Sequence, residues 1–391
     1  MPYSLNQEQS NRVAKRRPPL RVLHVMPWFA TGGVEVAKLN LVSKSSKGLL
    51  HEVACFSAGG PWADKFRQKG GVIHGLARNG DVQRFWNPVL FLRLLRLVRT
   101  LRPDLLVGCM FEGTMYAQLA SRITRIPYVH EDHWDPSAPH GFLAGWNHRT
   151  ATRQAKLCIT VSKNAARHLQ RTFGIPSKKI CVIRNPCRVY PAFRRSIRTT
   201  SKKQFGLDPR RPVIGTCCRL DDRHKRVSDL IQAAGQTERP LQILIVGDGK
   251  DRAALEQLAR ETCPQHRVLF AGYRTDHRKF LPAMDIFVSV PAYEAMGMAV
   301  AEAMGAGLPC IVTRVGGLEE IAKVNGTREG CAEVIQVGDI HKLARKINEL
   351  IANPARARKL GRSAKARARA LFPHRQHLES MERAYRVAYS G

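Results

Sequence analysis

Residues 291–320 read PAYEAMGMAVAEAMGAGLPCIVTRVGGLEE. The stretch sets Glu294 and Glu302 on either side of Gly297, then runs through Gly-Leu-Pro into a β-branched segment and Gly-Gly-Leu-Glu. Just before it, Asp285 to Val290 (DIFVSV) has the β-branched and aromatic content of a short buried strand, and Ile311 to Thr313 predicts another. The unit is strand, loop, helix, strand. In such a unit ligands sit at the loop on the carboxyl end of the first strand. A glycine there lets the backbone approach a phosphate, and the following helix presents unpaired N–H groups at the positive end of its dipole. Two carboxylates at that place can grip sugar or ribose hydroxyls as bidentate acceptors. The expectation is a pocket for a nucleotide-linked sugar.

Working outward, the same alternation fills the second half of the chain. Strands are predicted at Pro212 to Cys218, Leu241 to Gly247 and Val268 to Gly272, with a basic loop, Arg219 to Arg226, after the first. Helices are predicted to about Gly235, over Asp251 to Glu261 and over Lys279 to Met284, and then over His341 to Ala352, Ala355 to Ala370 and His374 to Tyr389. The first half alternates likewise. Strands are expected at Arg21 to Met26, His51 to Phe56, Gly71 to His74, Pro103 to Cys109, Ile126 onward, Leu157 to Ser162 and Lys179 to Ile183. Strand–helix alternation over so long a stretch predicts doubly wound parallel sheets. Gly32-Gly33 after the first strand is a second place for close phosphate approach, although a plain tight turn reads the same way. Asn185-Pro186 closes the first half, and the polar, basic segment Arg194 to Lys203 reads as a linker.

The length of 391 residues favours two domains over one. No run of eighteen apolar residues occurs, which excludes an ordinary transmembrane helix, and the N-terminal stretch lacks the apolar segment of a secretory signal. The ten cysteines contain no Cys-x-x-Cys pair, so they read as small core residues of a protein in reducing cytoplasm. The charge is the outlier. Lys and Arg number 64 against 31 Asp and Glu, a net +33, which points to an anionic partner: nucleic acid, anionic lipid or a phosphate-bearing substrate. Pro88 to Arg102 predicts an amphipathic helix with Leu90, Leu94, Leu97 and Leu101 on one face. Its stripe of Arg93, Arg96, Arg99 and Arg102 suits an anionic membrane surface, and equally a solvated helix face.

With these motifs placed, the chain resembles glycosyltransferase family 4, the retaining transferases of GT-B fold. The likeness runs from about Arg21 to Tyr389. It rests on the E-x(7)-E pattern of Glu294 and Glu302, on GGVE at Gly32 to Glu35, CRLDDRHK at Cys218 to Lys225, VGDG at Val246 to Gly249, and AMDIFVS before the glutamates. The resemblance implies two facing Rossmann-like domains with the active site in the cleft. Residues 1–20 would form a basic tail, 21–193 the acceptor-side domain, 204–373 the nucleotide-sugar domain, and 374–391 a helix crossing back to the first. It further implies that Arg219 and Lys225 hold the donor diphosphate in place of a metal ion. Arg offers a bidentate fork and Lys a point charge. Glu302 would take the ribose hydroxyls, Glu294 would lie near the donor sugar, and Gly33, Gly297, Met296 and Met298 would line the donor site. His133 would face the sugar from the first domain, with His130, Glu131 and Asp132 as rivals in the same loop. Family members commonly carry Glu-Gly-Phe-Gly where this chain has Glu294-Ala295-Met296-Gly297, so the donor sugar is left open.

The implied activity is transfer of a sugar, from a donor read as UDP-linked, to a lipid-linked or polysaccharide acceptor at the cytoplasmic membrane face, with no cofactor and no metal. Two other classes fit less of the sequence. One is a GT-B enzyme such as a nucleotide-sugar epimerase. The other is a non-catalytic basic protein binding membrane or nucleic acid, against which no nucleic-acid-binding motif is present.

Overall fold

The computed structural model describes residues 19–28, 33–44, 48–77, 86–133, 142–323 and 330–390. Two parallel sheets carry the chain. The first contains β1 (Leu20–Trp28), β2 (Leu49–Ser57), β3 (Val72–Gly75), β4 (Leu105–Cys109), β5 (Tyr128–Asp132), β6 (Leu157–Thr160) and β7 (Ile180–Val182) in the order β3-β2-β1-β4-β5-β6-β7. The second contains β8 (Val213–Cys217), β9 (Gln242–Val246), β10 (Arg267–Phe270), β11 (Ile286–Ser289), β12 (Cys310–Thr313) and β13 (Glu333–Ile335) in the order β10-β9-β8-β11-β12-β13. Central strands such as β4, β8 and β9 are buried along their whole length. That is why they read as continuous apolar runs: helices cover both faces of a parallel sheet. Each sheet reverses its winding once, between β1 and β4 and between β8 and β11. Such switch points open a crevice at the carboxyl ends of the strands. This is the GT-B architecture.

The chain passes between the domains twice, at neighbouring points. Ile183 belongs to the core of the first domain and Cys187 to that of the second. On the return, Phe372 lies in the second core, whereas Met381, Ala384, Tyr385 and Ala388 of the last helix, His374–Ser390, pack on the first. The two passages are tied together: the Cys187 amide donates to the Phe372 carbonyl at 3.2 Å, and His377 Nδ1 meets the Arg184 carbonyl at 2.9 Å.

Two sequence expectations change. Arg194 to Lys203 is not a linker: Arg195–Gln204 is a helix of the second domain. Arg198 and Lys202 grip the Asp285 carboxylate, Lys202 at 2.7 Å, and Asp285 also accepts from the Val213 amide at 2.8 Å. The basic composition that suggested a loose segment thus serves long-range ion pairs. In the helix Pro88–Leu101, the buried residues are Leu90, Leu94, Leu95 and Val98. Arg93 leaves the basic stripe by donating to the Leu76 carbonyl at 2.8 Å, while Arg96, Arg99 and Arg102 stay exposed.

Among the described residues four histidines are buried, His24, His51, His130 and His377, and all sit in or against the first domain. Burial pushes each below the ordinary 6.5, to about 4 for His51 and His377 and about 3 for His130. Below pH 6.5 the unfolded chain therefore binds protons that the native state refuses, so stability must fall as pH falls through that window. Melting temperature is expected to drop from pH 7 to pH 5. Hydrogen exchange should show the first sheet opening before the second.

Candidate active site

The site is assembled by two loops at the carboxyl edge of the second sheet. After β8 the chain is pinned to the end of β9 and the loop that follows it, with the Cys218 amide on the Val246 carbonyl at 3.0 Å and the Leu220 amide on the Asp248 carbonyl at 2.9 Å. A side chain at Gly247 (φ 146°) would strike the Cys218 carbonyl, so only glycine permits this approach. A single helical turn, Asp222–Lys225, follows and brings Lys225 Nζ to 2.6 Å from Glu294 Oε2. His224 lies flat on Tyr293, ring centroids 4.1 Å apart and planes 8° off parallel, with its Nε2 2.8 Å from the Tyr293 carbonyl. The Ala292 amide donates back to the His224 carbonyl at 2.8 Å. The basic loop and the glutamate loop are thus stitched into one wall.

Gly297 (φ 84°) turns that wall into the helix Met298–Ala306. A Cβ there would lie 2.2 Å from Leu318 Cδ2. Gly297 at the N-cap has no side chain to cap this helix, so its first N–H groups remain available to an anion. Glu302 lies one turn further along with its side chain only 5% exposed. Its Oε2 is 2.7 Å from His277 Nε2, and Arg278 donates twice to Oε1. Burial alone would raise this carboxyl, but His277 and the Arg278 charge outweigh it and hold it below the ordinary range. Glu302 is therefore a fixed anion. Arg278 occupies both lone pairs of Oε1, whereas Oε2, met only by His277, keeps one for a hydroxyl.

A cavity of about 380 Å³ opens between the domains along this wall. Arg219, Lys225, Glu294, Met296, Gly297, Met298 and Glu302 line it from the second domain, and His133 and Asn185 from the first. Of the residues singled out in the sequence, Gly33 begins the helix Gly33–Lys44; Gly32 and the loop 29–32 lie outside the described residues. Arg219 is largely exposed, 3.6 Å from Asp221. His133 is 13% exposed, with Nε2 3.5 Å from Glu131 Oε2. Ser162 serves the fold, capping the helix Lys163–Phe173 by accepting from the Ala165 amide at 3.2 Å. Sequence reasoning missed His277 and Arg278, and also Trp62 and Tyr273 in the lining. His277 and Arg278 lie in a 3₁₀ segment, His277–Ala283, whose sequence has no periodicity to flag them.

Among the described residues two groups have the ligand types of a metal site, His24–Cys109–Glu131 and His130–Asp132–His148. The first is threaded by the Lys38 ammonium, which bonds both His24 and Glu131. The second is closed by a 3.1 Å contact between the two Nε2 atoms. Neither contributes to the cavity lining. All ten cysteines are free thiols.

A switch-point crevice holding paired basic and acidic side chains between two Rossmann-like domains defines a GT-B glycosyltransferase. Residues 31–189 match the family described as "Glycosyltransferase Family 4", and residues 197–367 match "Glycosyl transferases group 1". The chain belongs to glycosyltransferase family 4. It is 27% identical over 340 residues to the lipopolysaccharide core biosynthesis glycosyltransferase LpsD of Rhizobium meliloti, covering 86% of this chain and 89% of that one. It is 31% identical over 194 residues to N-acetyl-alpha-D-glucosaminyl L-malate synthase of Bacillus anthracis, a match spanning 49% of each chain. In fold it superposes on Anabaena HepE, solved with UDP-glucose, with a TM-score of 0.81 at 22% identity, over 93% of this chain and 98% of that one.

Proposed function

We propose that this enzyme transfers a sugar, with retention of anomeric configuration and without a metal ion, from a UDP-linked donor to a lipid-linked or polysaccharide acceptor. The carrying observation is the Lys225–Glu294 pair, 2.6 Å apart in the cleft, with Arg219 beside it and the N-terminus of the helix Met298–Ala306 behind it. As the bond from the anomeric carbon to the diphosphate oxygen breaks, negative charge gathers on the leaving phosphate. Lys225 and the helix N–H groups are fixed where they can stabilise it, and Arg219 lines the same cavity. The acceptor oxygen attacks the same face of the sugar, and its proton passes to the departing phosphate. Glu294, neutralised by Lys225, binds and orients the sugar rather than attacking it. Glu302 takes the ribose hydroxyls, and Met296 and Met298 shape the sugar's place.

The UDP assignment draws on HepE, whose structures contain UDP and UDP-glucose, and the acceptor class on the name of LpsD. A membrane-facing acceptor also suits the helix Pro88–Leu101, which leaves Val89 (47%) and Leu92 (54%) exposed beside Arg96 and Arg99. No helix among the described residues is long and apolar enough to cross a membrane. The test is a panel of UDP-, GDP- and ADP-sugars with NMR of the released or transferred sugar. A UDP-sugar consumed to give the donor's anomeric configuration is expected. An inverted product, or a donor merely converted to an epimer without acceptor, would sink the reading.

A further inference from the structure

Behind the cleft, on the first-domain side, a buried polar network ends on the residue that faces the donor subsite. Glu131, at the carboxyl end of β5, has a side chain 3% exposed. Its two oxygens are held by different parts of the chain. Oε2 accepts from Lys38 Nζ of the helix Gly33–Lys44, and Oε1 accepts from the Tyr385 hydroxyl of the last helix. Lys38 also donates to His24 Nδ1 at 2.9 Å. The proton of His24 is therefore on Nε2, which donates to His51 Nδ1 at 3.0 Å. Both rings pack edge-on against Tyr385, with centroids 6.0 and 6.1 Å away. Lys38 and Tyr385 converge on the Glu131 carboxylate. Burial alone would raise its carboxyl, but the Lys38 charge holds it well below the ordinary range, so it is an anion.

A plain structural ion pair would need only Lys38. Here the carboxylate is clamped at both oxygens, and Oε2 also has Cys109 Sγ at 3.8 Å and His133 Nε2 at 3.5 Å. His133 lines the cavity. We propose that Glu131 is a positioning residue for His133, and that Tyr385 makes the last helix part of the active site. Clamped by Lys38 and Tyr385, Glu131 accepts a hydrogen bond from His133 Nε2–H, which keeps the ring proton there and leaves Nδ1 as the lone-pair nitrogen for a sugar hydroxyl in the cleft. The contact is long and closes when substrate fixes the ring, as hydrogen bonds of catalytic groups commonly tighten in the substrate complex. The inference rests on the donor-site reading of the cleft, while the state of the His133 ring can be measured without any donor.

The test uses the full chain and two readouts. Tyr385→Phe removes only a hydroxyl. It is expected to lower kcat with UDP-glucose by about tenfold through loss of alignment, while UDP affinity, set by the second domain, stays within about twofold. In a His133→Ala background the same substitution should cost nothing further, because the two act through one group. An unchanged kcat, or an equal loss in that background, overturns the proposal. Independently, ¹⁵N NMR of the histidine rings, with His133 assigned by its absence in His133→Gln, should show His133 protonated on Nε2. In Glu131→Gln it should be a mixture of tautomers. A His133 protonated on Nδ1 in the wild type overturns the proposal even if the enzyme is active. The expected tautomer in a protein that turns over no nucleotide sugar leaves the positioning standing and removes the donor reading instead.

Discussion

Lys225→Ala is expected to lower donor turnover by about 10²- to 10³-fold, the usual consequence of deleting one preorganised charge at a site where negative charge develops. The side chain does two things. In the proposed mechanism it supplies a fixed cation for the leaving diphosphate, and at 2.6 Å it neutralises Glu294, which would otherwise repel that diphosphate. Both losses act on the chemical step and on phosphate binding. The fold does not depend on Lys225: the turn Asp222–Lys225 is held by backbone bonds from the His224 and Lys225 amides to the Asp221 carbonyl, and by the His224–Tyr293 stack. Circular dichroism and melting temperature should therefore stay near wild type while steady-state kinetics collapse. A Lys225→Arg variant should recover only part of the loss, since a planar fork does not replace a point charge in the same space.

The second large effect is on nucleotide affinity. Glu302→Gln is expected to weaken UDP binding by about 10- to 100-fold, the equivalent of one or two hydrogen bonds to a charged acceptor at about 1.5–3 kcal/mol each. The carboxylate is nearly buried, yet it borders the cavity with both oxygens anchored by His277 and Arg278. An amide in its place offers one acceptor where the site needs several, and turns its NH₂ toward donors. Glutamine keeps the volume, so this loss can be read by calorimetry on folded protein. Alanine would instead leave the partly buried Arg278 without its anion and cost stability as well.

The parts of this molecule that sequence made visible are those governed by local pattern. The strands β4, β8, β9 and β11 are buried runs of β-branched and aliphatic residues, and the spacing of Glu294 and Glu302 around Gly297 follows from one loop and one helix turn. What stayed hidden depends on residues far apart in the chain. His277 and Arg278 become intelligible only beside Glu302, 25 and 24 positions on. Arg194 to Lys203 looked like a linker because its partner, Asp285, lies more than 80 residues away. Tyr385 meets Glu131 across 254 positions, so no local pattern marks it as part of a site. The strand β13, three residues long, is too short for alternation to show.

In the proposed reading the cleft between the two sheets holds a nucleotide diphosphate against Lys225, with its ribose on Glu302. Isothermal titration of UDP into the metal-free wild-type enzyme, Lys225→Ala and Glu302→Gln tests this placement. Saturable one-to-one binding is expected for wild type with EDTA present, weakened in both variants. Absence of binding to wild type, or equal affinity in all three proteins, would contradict the claim.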